Sequence, residues 1–431
     1  MAAIALSGVA HRRFDPLRGS WVLIASPQKN KRPRLGQIEE VLNGEKKAYD
    51  PKCYLCPGNR RASGDRNPHY NGTFLFENDY STVRMDEERC HGDIDQKESF
   101  QQTNPALLHA EPVIGQCYVV TYSPNHHYKI SDMTTAEVLD IIETWTNVYA
   151  MHLSSDSPLK SIAAELDSSE SESTNRPSSS AQGLCYMHIF DNNGSIVGAS
   201  NPHPHGQIWI TSSMPDEPRR ELVEMKNYRE KNCGSHLLSD YVQLEIDKEE
   251  RVVWQNGSFL AVCPWWAVWP YEVLLLPKRQ VASLVDLTNS ERLDFAEAML
   301  QLNRIYDNLF GITFPYVSAV HQAPLNATGI DLDSSFLHVH FSPPLLFPSI
   351  KKFFGGYELY GEPTREITPE AASAHLRSAL VQHSVCSNNY KASCLPARPV
   401  RSFSLGLKRK GARNGESTAW WRWLLQKRPG I

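Results

Sequence analysis

Apolar residues along the chain fall into short runs closed by turn formers, interrupted by two longer stretches of helical period. Asp15-Pro16-Leu17-Arg18-Gly19 reads as a turn, followed by a strand at Ser20–Ile24. Thr73 to Asp79 reads as a strand ending in turn formers, so that Asn78 and Asp79 stand where a ligand's hydroxyls can be read. From residue 117 a pattern occurs twice. The first copy has an apolar run, Cys117 to Pro124, and then Met133-Thr134-Thr135-Ala136-Glu137; the second has Phe259 to Pro264 and then Leu287-Thr288-Asn289-Ser290-Glu291. A Thr with a Glu three residues on is a capping box that opens a helix. Val138, Ile141, Ile142, Trp145 and Tyr149 line one face of the first helix, and Ala296, Leu300, Ile305 and Leu309 lie in the second. Each copy then reaches a pair of histidines two apart, His203-Pro-His205 and His338-Val-His340. The expected fold is α+β: duplicated units of antiparallel sheet flanked by helices, joined into one pseudo-symmetric molecule. The units span 11–220 and 221–380.

Two segments fall outside this plan. Residues 154–182 are dense in Ser, Asp, Glu and Pro and read as a disordered insertion. Residues 382–431 read as a disordered basic tail with Trp420, Trp421 and Trp423 near its end. Phe259 to Pro277 is apolar enough to imitate a membrane span, but Pro264, Pro270 and Glu272 interrupt it, and two buried strands are the better reading.

Composition narrows the classes. A chain of 431 residues buries a large core, and a net charge of −4 implies no bulk polyanionic partner; neither nucleic acid nor membrane is expected as a partner, and the basic tail reads as a floppy appendage rather than a membrane contact. Nine scattered cysteines, an odd number, point to a reducing compartment, and no signal peptide precedes His11-Arg12-Arg13. A soluble, cytoplasmic protein is expected. The basic run containing Lys29 and Arg32 reads as solvated surface or as a contact for phosphates.

The chemistry concentrates in Ser200-Asn201-Pro202-His203-Pro204-His205-Gly206-Gln207. The prolines stiffen the segment and keep it out of a helix, which puts both histidines on one side of an extended strand. Gly206 lets another group approach closely. His205 acts as a nucleophile toward phosphorus if its distal ring nitrogen faces the phosphorus and its proximal N–H is held by a carbonyl. Two residues on, Gln207 offers an amide, which donates to a phosphoryl oxygen but cannot protonate a leaving group. The leaving group must then be good by itself, such as a sugar phosphate expelled from a diphosphate. Cys53 and Cys56 have the spacing of a zinc half-site, although a lone C-x-x-C also fits a redox pair or plain packing.

These motifs resemble the galactose-1-phosphate uridylyltransferase family, from about His11 to about Leu380. Supporting matches are Phe76-Glu77-Asn78-Asp79, Phe190-Asp191-Asn192-Asn193-Gly194, Trp269-Pro270-Tyr271, Tyr306-Asp307-Asn308-Leu309-Phe310 and Lys352-Phe353. The resemblance implies ping-pong transfer: His205 takes UMP from UDP-glucose, glucose 1-phosphate leaves, and galactose 1-phosphate then accepts UMP to give UDP-galactose. It implies that Gln207 and Ser200 hold phosphoryl oxygens, that Asn78, Asp79 and Asn192 hold the uridine part, and that the Gly198-Ala199 backbone approaches the phosphates. Lys29, Arg32 and Ala62 join the substrate site on the same ground. Lys352, Phe353, Tyr357 and Glu358 are implied at a sugar-phosphate site shared across a homodimer. The resemblance adds His126 and His203 to Cys53 and Cys56 as a closed structural zinc site. It also gathers Glu221, His321, His338 and His340 as a second structural site, for iron or zinc; the residues alone also fit ordinary polar contacts. Departures from the family pattern are Lys29 for Arg, Ala199 for Cys, Val320 and Gln322 beside His321 for Trp and Gly, a segment one residue short before Lys352, and Thr364 for a hexose-binding Gln. The residues leave room for a related nucleotidyltransferase or phosphorylase acting on ADP-sugars, or for a nucleotide-binding protein with reduced activity.

Overall fold

A nine-stranded sheet organises the molecule. In this computed structural model, which describes residues 10–24, 47–85, 107, 111–167 and 183–387, the strands are β1 (His11–Asp15), β2 (Ser20–Ile24), β3 (Phe74–Glu77), β4 (Gly115–Thr121), β5 (Tyr186–Asn193), β6 (His205–Thr211), β7 (Val252–Gln255), β8 (Phe259–Val262), β9 (Val273–Pro277), β10 (Tyr316–His321), β11 (His338–Ser342), β12 (Leu345–Phe347), β13 (Ile350–Lys351) and β14 (Thr364–Arg365). The helices are α1 (Thr135–His152), α2 (Leu159–Asp167), α3 (Asp216–Lys231), α4 (Leu237–Lys248), α5 (Asn289–Phe310), α6 (Gly329–Ser334), α7 (Tyr357–Tyr360) and α8 (Pro369–Ser387). The large sheet runs β3-β4-β6-β5-β10-β11-β9-β8-β7; β1-β2-β14 and β12-β13 form two small sheets. All its neighbouring pairs are antiparallel.

The strand order makes the duplication explicit. Read outward from the central β5–β10 pair, one half is β5, β6, β4, β3 and the other β10, β11, β9, β8. The counterpart of β4 is therefore β9, not the β8 run with which Cys117–Pro124 was matched by apolar pattern. Phe259–Pro277 does hold two buried strands, and only the one beside β11 is equivalent to the strand beside β6. Because β5 pairs with β10, the sheet continues across residue 220, and the described residues lie within one compact unit, Met1–Asn388.

Both capping boxes form. Thr134 Oγ1 accepts from the Glu137 amide at 3.3 Å while Glu137 Oε2 accepts from the Thr134 amide at 2.8 Å. At Thr288 and Glu291 the same pair of bonds measures 3.2 and 2.9 Å. Each cap contributes about 1 kcal/mol to its helix. The apolar stripes of α1 and α5 bury against one face of the sheet, where Val120, Ile189, Ile208, Val320, Val339 and Leu275 meet Ile142, Trp145, Phe295 and Met299. At one end of the opposite face α3 and α4 cover Leu260, Val262, Leu274 and Leu276. The middle of that face carries the polar residues described below.

Three expectations are corrected. Pro202 and His203 form a bend, and only His205 lies in a strand, so the two histidines do not share one extended segment. The 154–182 stretch contains α2, because Leu159 and Ala163, four apart, bury into the main core. Helix α8 runs to Ser387, past the expected limit at 380–382. Lys29, Arg32, the rest of the serine-rich stretch from 168 to 182 and the tail from 388 lie outside the described residues. Among the described residues no helix is long and apolar enough to cross a membrane.

Candidate active site and metal centres

Residues of β6 alternate between the helix-covered face and the open face, with Gly206, Ile208 and Ile210 buried and His205, Gln207, Trp209 and Thr211 partly exposed. At the head of this row His205 Nδ1 lies 2.8 Å from the His203 carbonyl oxygen. The carbonyl only accepts, so Nδ1 carries the proton and Nε2 keeps its lone pair. Burial lowers the His205 pKa, which favours that neutral form. Gly206 faces the other way: a Cβ there overlaps the Tyr122 hydroxyl, so the group that this glycine admits is a core tyrosine on the helix side. Tyr122 in turn bonds Asp191, whose carboxyl burial raises to about 7.

Next in the row, Gln207 Oε1 accepts from Trp209 Nε1 at 3.1 Å. Trp209 stands opposite Cys117 and His188 and packs edge-on against Phe190, with ring centroids 5.7 Å apart. Phe190, opposite Gln207, is followed two residues later on the same face by Asn192. After β5 a single 3-10 turn, Ser195–Val197, ends at Gly198 with φ 95°, a left-handed conformation that favours glycine. Gly198, Ala199 and Ser200 thus form a partly exposed loop leading into the bend before His205. Lys351 Nζ donates to the Ile196 carbonyl in this turn at 2.8 Å.

Cys53, Cys56, His126 and His203 converge, with all four donor atoms within 4.8 Å of one another. Cys56 Sγ is 3.5 Å from both His126 Nδ1 and His203 Nδ1, and Cys53 Sγ is 3.8 Å from His203 Nδ1. A tetrahedron with metal–sulfur bonds of about 2.3 Å and metal–nitrogen bonds of about 2.0 Å has S···N edges of about 3.5 Å. His203 Nε2 donates to the Ser123 carbonyl at 2.8 Å, which leaves Nδ1 bare toward the sulfurs. Asn201 completes the surround: Nδ2 donates to Cys53 Sγ at 3.4 Å, and Oδ1 accepts from the His203 amide at 2.9 Å. The cluster fits a four-coordinate metal ion.

A second cluster, Glu221, His321, His338 and His340, meets the same distance criterion. Glu221 Oε2 lies 2.5 Å from His321 Nδ1 and 3.2 Å from His338 Nε2, and Oε1 lies 3.3 Å from His340 Nε2. His338 Nδ1 is 2.7 Å from the Phe336 carbonyl. That repeats, at the head of β11, the bond that His205 makes at the head of β6. In the duplicated half the position equivalent to His205 is thus held by His338, a member of the second donor cluster. Rings of Trp209, Phe190, His188 and His321 follow one another at centroid spacings of 5.5 to 5.7 Å, so the two regions share one face of the sheet.

Other candidate residues are placed as follows. Asn78 Oδ1 accepts from the Tyr80 amide at 2.9 Å. Asp79 accepts from the Ser63 amide at 3.2 Å and pairs with Arg61 at 3.6 Å, which brings Ala62 beside it. Arg61 also lies over Phe76 at 4.5 Å. Lys352, almost fully buried, pairs with Glu358 at 2.9 Å and Glu366 at 3.5 Å and donates to the Thr364 carbonyl. Thr364 Oγ1 donates to Glu358 at 2.6 Å. Lys352 and Glu358 therefore bind each other, while Phe353 and Tyr357 are exposed. Sequence reading missed Asn201 as an outer partner, Trp209, Arg61 and Lys351. Only the i, i+2 spacing of Gln207 and Trp209 was visible beforehand; the other contacts join distant segments.

Two family models cover nearly all of the described chain: galactose-1-phosphate uridyl transferase, N-terminal domain, over residues 3–215, and its C-terminal domain over residues 221–388. Among similar proteins, the galactose-1-phosphate uridylyltransferase of Neurospora crassa is 50% identical over 379 residues, covering 86% of this chain and 96% of that protein. Those of Saccharomyces cerevisiae and Haemophilus influenzae are 40% and 36% identical, each over 86% of this chain and 95% of its relative. A solved uridylyltransferase structure superposes with a TM-score of 0.58 at 25% identity, covering 86% of this chain and 98% of that one. An ADP-glucose phosphorylase from Arabidopsis thaliana with bound ADP-glucose also reaches 0.58, at 20% identity over 85% of this chain and 98% of its own, a likeness of fold alone. With both halves of the family matched in order, over a sheet whose two halves are related by the same strand order, the chain belongs to the galactose-1-phosphate uridylyltransferase family.

Proposed function

We propose that this protein moves UMP from UDP-glucose to galactose 1-phosphate by a ping-pong route through a uridylyl group on His205. The observation that carries this reading is the bond between His205 Nδ1 and the His203 carbonyl, which directs the Nε2 lone pair outward. Nε2 attacks the α-phosphorus, forming an N–P bond. The bridging P–O bond breaks, and its electron pair leaves on glucose 1-phosphate. The proton stays on Nδ1 throughout, donated to the His203 carbonyl oxygen, so the imidazolium that forms is stabilised by that bond. Gln207 donates an N–H to a non-bridging oxygen as charge shifts there, and the leaving phosphate needs no acid. A phosphate oxygen of galactose 1-phosphate then attacks the same phosphorus, the N–P bond breaks with its electron pair returning to His205 Nε2, and UDP-galactose leaves. One site serves both sugar phosphates in turn. Ser200 and the Gly198-Ala199 backbone line the phosphates, and Asn78, Asp79, Asn192 and Ala62 the uridine.

Cys53, Cys56, His126 and His203 would hold zinc, and Glu221, His321, His338 and His340 iron or zinc. With four protein donors around it, the first site would supply rigidity rather than a reaction step, since His203 would be one of its ligands while its carbonyl holds His205. The exposed Phe353, Tyr357, Leu359 and Tyr360 support a homodimer in which this segment reaches a partner's sugar-phosphate site. We place the enzyme in the cytoplasm, in keeping with the six cysteines whose side chains are described, Cys53, Cys56, Cys117, Cys185, Cys233 and Cys263, being free. Incubation with UDP-glucose labelled at the α-phosphorus tests the reading: an acid-labile label on His205 is expected, and wild-type protein with full metal content that takes up none overturns it.

A further inference from the structure

We propose that Trp209 is a positioning residue for the transfer: its indole N–H fixes which way the Gln207 amide faces. This inference rests on the role given to Gln207 above.

The indole nitrogen only donates. Whatever group of Gln207 meets it at 3.1 Å must therefore be the carbonyl oxygen, as observed. The amide is planar, so assigning Oε1 to Trp209 turns the NH2 branch away from the indole. On this strand face Gln207 stands between His205 and Trp209, and the NH2 is left on the His205 side. Among the described residues it has no protein partner of its own, and it remains available to a phosphoryl oxygen beside His205. Without the indole N–H, rotation about the last side-chain torsion presents Oε1 instead, and two acceptors then face each other. A glutamine does not choose between these orientations by shape, because its O and N are nearly isosteric. The choice needs a neighbour that is donor-only, and Trp209 is one.

The indole is itself held. Phe190 packs against it at 73°, and Cys117 and His188 stand opposite on the flanking strands. Its direction is thus set by the sheet rather than by substrate.

The test is the single-turnover rate of uridylyl transfer from UDP-glucose to His205, with melting temperature and metal content measured alongside. Trp209→Phe keeps a ring against Phe190 and removes only the donor. The expected result is a rate about 5- to 10-fold lower, the worth of one neutral hydrogen bond, with UDP-glucose affinity changed by less than about twofold. In a Gln207→Ala background the same substitution is expected to change the rate by less than about twofold, because Trp209 acts only through that amide. Benzothienylalanine at 209, with sulfur in place of N–H and nearly the same volume, is expected to match Trp209→Phe and guards against a folding effect of the smaller ring. A wild-type rate in either variant overturns the proposal, as does an equal loss with and without Gln207. Wild-type protein that forms no adduct overturns the uridylyl-histidine reading itself, whereas wild-type labelling with unaffected 209 variants overturns only the role of Trp209.

Discussion

His203 holds His205: its carbonyl oxygen lies 2.8 Å from Nδ1 of the following histidine, while its own ring faces Cys53 and Cys56 and donates through Nε2 to Ser123. One residue thus belongs to the donor cluster by its side chain and holds His205 by its backbone. His205→Ala is expected to abolish labelling by UDP-glucose while metal content and melting temperature stay near wild type. Cys56→Ser is expected to lower all three. Elemental analysis, thermal melts and labelling of the same preparations check the contrast.

Asn201 donates to Cys53 Sγ and accepts from the His203 amide, so it supports two donors at once. Asn201→Ala is expected to weaken retention of the metal about 10- to 100-fold, the usual effect of removing an outer partner. Competition against a chromogenic chelator measures it.

Gly206, next to His205, leaves room for Tyr122. Gly206→Ala must displace a buried tyrosine whose backbone is tied to Pro204 at 3.1 Å, and a loss of about 1–3 kcal/mol is expected from overpacking. Denaturant unfolding of the variant gives the value, and Gly206→Ala combined with Tyr122→Phe should recover part of it.

Burial pushes the Asp191 carboxyl up to about 7, against an ordinary value of about 3.9. The native state therefore keeps a proton that the unfolded chain releases at lower pH. The associated stability is complete below about pH 4 and is lost as pH rises through about 7. Asp15, pushed by burial to about 7 as well, acts in the same sense. Asp191→Asn is expected to flatten part, not all, of the fall in unfolding midpoint between about pH 4 and 7.

Tyr360 is 89% exposed and Leu359 62%, on the short helix α7 beside exposed Phe353. A paired Tyr360→Asp and Leu359→Asp substitution is expected to yield monomers by sedimentation velocity with an unchanged melting transition. A monomeric wild type would rule out the homodimer.

Much of the site was legible because the residues concerned are consecutive or periodic. The Pro-His-Pro-His-Gly-Gln run, the two capping boxes and the apolar stripes on α1 and α5 depend on neighbours within four positions, and local pattern carries that information. His203 shows where it stops. Strand periodicity put it beside His205, whereas the backbone bends at Pro202 and His203 to satisfy the cysteine cluster more than a hundred residues away. The same limit explains the mismatch of β4 with β8: apolar composition cannot say which of two buried strands lies next to β11. It explains α2 as well, since Leu159 and Ala163 are too few to outweigh a polar stretch until a core is present to receive them. The sequence by itself determined which chemistry the chain carries, because residue type sets what can donate, accept or attack. Only the tertiary structure decided which donors His203 meets, which way Gln207 faces and which side of Gly206 is filled, because each depends on the folded arrangement of the strands around them.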